Sequence, residues 1–209
     1  VARLLPDTST TDRSGRQAQQ AQRHEALYAK DPGGLARPAH DPILSAFYPV
    51  LEGSTPVFFL AEDVKSIHRI FTLQQELDFP LVLAGIKEGW HVTDRVKAGG
   101  TPVFLALELP DAPKEKKEED KEKEEAMSDE LKQLEARRAG FMKQYESQAA
   151  AFAKEGIAFG FASAGASSKD IKANLRRMIE QGLSEEQALA ALTTVPARTL
   201  GVDKIMGTV

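Results

Sequence analysis

Carboxylates at the downstream ends of apolar runs are the residues in this sequence with the best geometric claim to chemistry. Residues 55–61, TPVFFLA, are followed by Glu62-Asp63, and residues 101–107, TPVFLAL, by Glu108. Where a parallel β/α unit turns from strand to helix, such carboxylates can contact substrate, move a proton or hold a divalent cation. The pair Glu62-Asp63 equally suits the cap and first turn of a following helix, and neither position is a catalytic motif alone. His91, beside Trp90 and just after the turn Ile86-Lys87-Glu88-Gly89, is a candidate metal ligand or proton shuttle. Its place at the start of a helix makes an exposed or locally hydrogen-bonded histidine the simpler reading. His68 falls inside a helical repeat, and His24 and His40 lie in an irregular leading segment, so all three read as structural or exposed. Ser163, Ser167 and Ser168 could form an anion-binding turn, yet no GxxxxGK[ST] or GxSxG pattern accompanies them, and helix capping explains them more simply.

Composition narrows the function classes. The 209 residues carry 27 basic and 31 acidic side chains, a net charge of -4, which offers no electrostatic reason for a nucleic-acid or anionic-membrane partner. A hydrophobic fraction of 42% is enough for a sizeable core in one domain or two. With no cysteine there are no disulfides, thiolate nucleophiles or cysteine-based metal sites, and the compartment stays open between cytoplasm and periplasm. No apolar stretch is long enough for membrane insertion, and the amino terminus lacks the basic segment and apolar core of a secretory signal. The chain opens on Val1 rather than Met, as a processed protein, an internal fragment or one piece of a larger assembly would.

The elements that must position these residues read as strand-then-helix units. After a leading helical segment, 1–52, with helices expected over 14–30 and 42–51, residues 53–109 hold three units. Strands near 56–61, 80–84 and 102–107 are each entered through a proline, Pro56, Pro80 and Pro102, where a missing amide donor is tolerated. Helices are expected over 62–77 and 88–98, the first carrying Val64, Ile67, Ile70, Phe71 and Leu77 at helical spacing. Nearly continuous apolar strands separated by amphipathic helices imply right-handed crossovers and a parallel sheet. Residues 110–127 are almost wholly charged and read as a solvated insertion. The remainder, 128–209, opens on the capping pattern SDEL at Ser128 and a long helix to about Lys154, with Leu131, Leu134, Phe141, Met142, Tyr145 and Phe152 available for packing. A fourth strand follows near 157–162, then helices over 169–181 and from Ser184 to about Pro196, and the beginning of a further strand at 206–209.

The tail GLSEEQALAALTTVPARTLG, residues 182–201, followed by Gly207-Thr208-Val209, resembles the carboxy-terminal part of amidohydrolases, especially the imidazolonepropionase-like group. The likeness extends more weakly through the strand units and the segment from Glu88-Gly89-Trp90 to Pro102-Val103. It implies a metal-dependent TIM barrel that hydrolyses amide or cyclic C–N bonds, with the four strands here as the fifth to eighth of eight. By the same resemblance the usual ligands are an early His-x-His pair, a carboxylated lysine or its equivalent, histidines on the fifth and sixth strands, and an aspartate after the eighth. Here Leu60, Ala84-Gly85 and Ala164 stand at the last three of those places, and no His-x-His occurs.

The fold class expected is therefore α/β, an incomplete TIM-type β/α barrel made of about the last four βα units. Open strand edges imply an amino-terminal half or another copy that completes the barrel. The function expected is part of an amidohydrolase-like protein acting on small amides or cyclic amides. This chain alone is expected to be inactive, with zinc or another divalent metal held only in a complete assembly. The alternative is a non-catalytic structural or binding module of amidohydrolase descent.

Overall fold

The structure, a computed structural model, describes residues 3–5, 8–31, 33, 40–111 and 129–207. The expected charged insertion from 112 onward, the cap at Ser128 and the last two residues lie outside these. The elements run β1 (Arg3–Leu5), α1 (Thr8–Lys30), α2 (Pro42–Ser45), α3 (Tyr48–Leu51), β2 (Val57–Leu60), α4 (Val64–Leu77), β3 (Leu81–Ile86), a 3₁₀ turn (Gly89–His91), α5 (Thr93–Gly99), β4 (Val103–Ala106), α6 (Asp129–Lys154), β5 (Phe159–Ala162), α7 (Ile171–Glu180), α8 (Glu185–Leu192) and α9 (Thr194–Thr199). The five strands pair in chain order, every pair parallel.

The four strands expected from sequence are β2 to β5, and the parallel β/α architecture holds. The leading segment supplies a further strand that composition did not suggest, with Arg3 to Leu5 in register against Val57 to Phe59. Three residues are too few to show a period, so backbone pairing to β2 is what makes them a strand.

Alternation along the strands builds two cores. Val57, Phe59, Leu83, Val103, Leu105 and Phe159 face the helices and join the main core with Ile67 and Ile70 of α4 and Phe152 of α6. On the other face Val82, Ala84 and Phe104 form a second, smaller cluster with Phe58 and Ala162 against it, and the Phe58 and Phe104 rings lie 5.9 Å apart. A sheet buried on both faces explains why its strands read as uninterrupted apolar runs.

Several expectations are corrected. The helix expected over 42–51 divides into α2 and α3, because Pro49 has no amide hydrogen to continue the ladder, and Ile43 is 72% exposed rather than packed. The unit expected at 88–98 begins as a 3₁₀ turn before α5. Leu134 and Phe141 are exposed, Phe141 by 58%. Residues 132–141 of α6 are exposed, whereas its second half buries Gln148, Ala149 and Phe152. Beyond Leu192 the chain turns again into α9, which places Pro196 against Gly160 of β5. Residues 203–205 form a turn and Met206 a bend, and the strand start expected at 206–209 falls partly outside the described residues.

Phe152 is fully buried, and its ring meets that of Phe159 edge-on at 6.2 Å. Phe152→Ala is expected to cost about 3–5 kcal/mol through lost burial and the cavity left behind. Phe141→Ala is expected to stay within about 0.5 kcal/mol. Urea unfolding of both variants checks the contrast.

Candidate functional site

Parallel pairing brings the exits of β2, β3, β4 and β5 to one end of the sheet, and alternation decides which exit residues meet there. Phe58 packs against the small cluster and Phe59 and Ala61 lie in the helix-side core, so Glu62 falls on the small-cluster side. On β4 the same count from Phe104, through Leu105 and Leu107 in the main core, puts Glu108 on that side too.

On β3 strict alternation would do the opposite. Val82 and Ala84 belong to the small cluster, yet Ile86 lies with Leu83 in the main core. The phase changes at Gly85, which takes φ +71, and the pairing with β4 is irregular between Ala84 and Ile86. A bulge of this kind moves all later residues to the other face. Lys87, the first residue after β3, is thereby delivered to the carboxylates.

Its Nζ lies 3.0 Å from Glu62 Oε2 and 2.8 Å from Glu108 Oε2. The Lys87 side chain is 26% exposed, against 63% for Glu62 and 42% for Glu108. The hydrogen bond to Glu108 does most to hold the ammonium pKa above the ordinary lysine value, and Glu62 adds to it, against an opposing effect of burial. The backbone repeats the connection, since the Glu62 carbonyl accepts from Lys87 N at 3.1 Å and Glu88 N at 3.2 Å. After β5, Gly165 adopts φ +84 with its Cα against the Glu108 carboxylate, where a Cβ would collide with Oε2. The backbone angle favours glycine there, and a Cβ would force the Glu108 carboxylate to shift.

Buried amides fix the strand exits from beneath. Gln148 of α6, 4% exposed, donates Nε2 to the Ile86 carbonyl at 3.1 Å and accepts from Gly89 N. Asn174 of α7 donates to the Leu107 carbonyl at 2.9 Å. Arg177 pairs with Glu146 at 2.7 Å and donates to the Pro110 carbonyl at 3.0 Å. Beside Lys87, Tyr145 donates to Glu88 Oε1 at 3.1 Å, and its phenol pKa is raised by burial and then by that carboxylate. The Trp90 ring meets Tyr145 edge-on at 5.1 Å, and among the described residues its buried Nε1 has no acceptor.

The candidates from sequence thus separate. Glu62 and Glu108 come together through Lys87, which the residue pattern did not single out. Asp63 is drawn off to cap α4, accepting from Ser66 N at 3.0 Å and Ser66 Oγ at 2.7 Å. His91 is exposed at the end of the 3₁₀ turn with its ring 5.5 Å from that of Trp90, and no hydrogen bond ties it to the charged trio. His68 meets Arg95 on the outer helices at 2.9 Å. Ser163, Ser167 and Ser168 do not cap α7, whose first turn follows Asp170 without a side-chain cap.

A divalent metal does not fit the residues at these exits. Leu60 ends β2, Ala84 precedes the bulge of β3 and Ala164 follows β5, and none can donate an electron pair from its side chain. The two carboxylates that could are already bound to an ammonium. Among the described residues no three His, Asp or Glu side chains group as ligands.

Two expectations follow from the charges. Asp63→Ala should cost about 1 kcal/mol at neutral pH as a lost helix cap. The bonds from Ser66 lower the Asp63 pKa, so this contribution is present above the ordinary value of 3.8 and fades as pH falls through the lowered folded value. Urea midpoints of both proteins from neutral to acid pH test the sign. For Lys87, a raised pKa keeps the contribution of the trio intact below 10.5 and loses it only as pH rises through the folded value. NMR titration of the Lys87 side chain should show a downward shift in Glu108→Gln larger than that in Glu62→Gln.

No family model matches the sequence, and no curated protein matches it. In structure the chain is similar to an amidohydrolase from Thermotoga maritima, with a TM-score of 0.70 at 15% identity over 96% of this chain. The match spans 46% of that protein, so the chain is about half its length. Likeness at this level concerns the fold: the chain has the parallel β/α architecture of that amidohydrolase over the matched part.

Proposed function

We propose that this chain is part of an amidohydrolase-like β/α barrel that acts on C–N bonds of small amides or cyclic amides, with its chemistry at the carboxyl end of the sheet. The observation that carries the reading is the meeting of Glu62, Lys87 and Glu108 where β/α barrels hold their sites. Similarity to half of an amidohydrolase supports it. Among the described residues β1 pairs only with β2 and β5 only with β4, and in this reading further strands would pair at both outer edges. An amino-terminal half, from the same gene or another chain, would close the barrel and supply any zinc-like ion with ligands this part lacks.

In that site Lys87 is a hydrogen-bond donor and fixed positive charge, since its raised pKa keeps it protonated at neutral pH. Glu62, the most exposed of the three, is the acceptor for an amide N–H. A second reading, a non-catalytic binding or structural module, is favoured by Leu60 and Ala164 at places where the family resemblance implies metal ligands.

Co-expression with its upstream sequence separates the two readings. The isolated chain, loaded with zinc or manganese, is expected to retain no stoichiometric metal and to hydrolyse neither primary nor cyclic amides. It should also scatter as more than a compact monomer of about 17 Å radius of gyration. The completed assembly should turn over a cyclic amide, with Glu62→Ala raising KM through loss of the acceptor for the amide N–H. A well-folded assembly without turnover supports the module. A compact monomer indifferent to the upstream half overturns the completed barrel.

A further inference from the structure

We propose that the Lys87 ammonium is the resident cation of this rim, occupying between Glu62 and Glu108 the place that a divalent metal would otherwise take. The proposal concerns the charged trio alone and goes beyond the functional reading, since it holds whether or not a completed barrel turns over an amide.

Three independent features support it. Both carboxylates direct an Oε2 at the same nitrogen, at 3.0 and 2.8 Å, so their oxygens converge on one point from strands on either side. A bulge at Gly85 is needed to bring Lys87 there, because the regular phase of β3 would aim it at the helices. Gly165 comes up against Glu108 Oε2, the oxygen that meets Lys87, so a Cβ there would push that oxygen from its place. The carboxylates are thus presented to a cation, and the chain supplies that cation itself.

Charge and ligand type say what would replace it. Two carboxylates without Lys87 carry two negative charges in close proximity, which an oxygen-seeking divalent ion neutralises. Oxygen-only donors with room for water select manganese, magnesium or calcium over softer metals. With Lys87 present, a divalent ion must displace an ammonium bound through two ion pairs, and entry is disfavoured. Lys87 also keeps one of its three N–H groups beyond those committed to the carboxylates. The rim is therefore closed to metals while remaining able to meet one neutral acceptor.

Manganese is the probe, titrated into the full chain with binding followed by calorimetry and water-proton relaxation. The wild type and Lys87→Arg are expected to bind weakly and without a defined stoichiometry. Lys87→Gln should bind one manganese at least about tenfold more tightly, a change of about 1.4 kcal/mol. Lys87→Gln combined with Glu108→Gln should return to wild-type behaviour. A folded Lys87→Gln that gains nothing, or a wild type that already binds one ion with loss in Glu108→Gln, overturns the proposal. If Lys87→Gln does not fold, the wild type decides. Stoichiometric manganese should leave the Lys87 side-chain NMR signal sharp, and selective broadening of Lys87, Glu62 and Glu108 would overturn the idea.

Discussion

Parallel pairing is the constraint from which the rest of this structure follows. Each strand must return to the same end of the sheet, so each is separated from the next by a crossover, and the crossovers cover one face. Exits of four successive strands are thereby collected at one rim. Residues 62, 87 and 108, far apart in sequence, become neighbours.

What the rim gains is organisation more than stability. Ion pairs as exposed as those of Glu62 and Glu108 contribute little free energy, because water competes for both charges. The rigidity comes from beneath, where the buried amides of Gln148 and Asn174 satisfy backbone groups at the ends of β3 and β4. Loss of either would leave polar atoms unpaired in the core, which is far more costly than loss of a surface pair. The long helix α6 is central to this arrangement. One stretch of it places Tyr145 against Glu88, Glu146 against Arg177, Gln148 against the β3 exit and Phe152 in the main core.

The two faces of the sheet carry different burdens. The helix side is a large, continuous core, whereas the opposite face is a small patch that Phe58 and Phe104 roof over themselves. The two rings reach each other across β3, whose smaller Val82 and Ala84 complete the cluster. Leu60, at the rim of that face, remains 37% exposed.

From the sequence by itself came the strands β2 to β5, their order, the helices between them and the gathering of Glu62 and Glu108 at one end. Those are local properties: an apolar run of strand length, a proline at its entrance and a helical repeat behind it identify the unit wherever it sits. The boundary of α8 was equally legible, since Ser184 and Gln187 form a reciprocal capping box within four residues. Tertiary structure alone decided the rest. The strand Arg3–Leu5 exists because β2 offers it an edge, and Asp63 and Glu62 part company because one residue of phase sends them to a helix and to the rim. Gly85 inside an apolar run was the visible hint of a bulge. That the bulge turns Lys87 onto two carboxylates depends on the register of β3 with its neighbours, and register belongs to the pairing of strands rather than to any one of them.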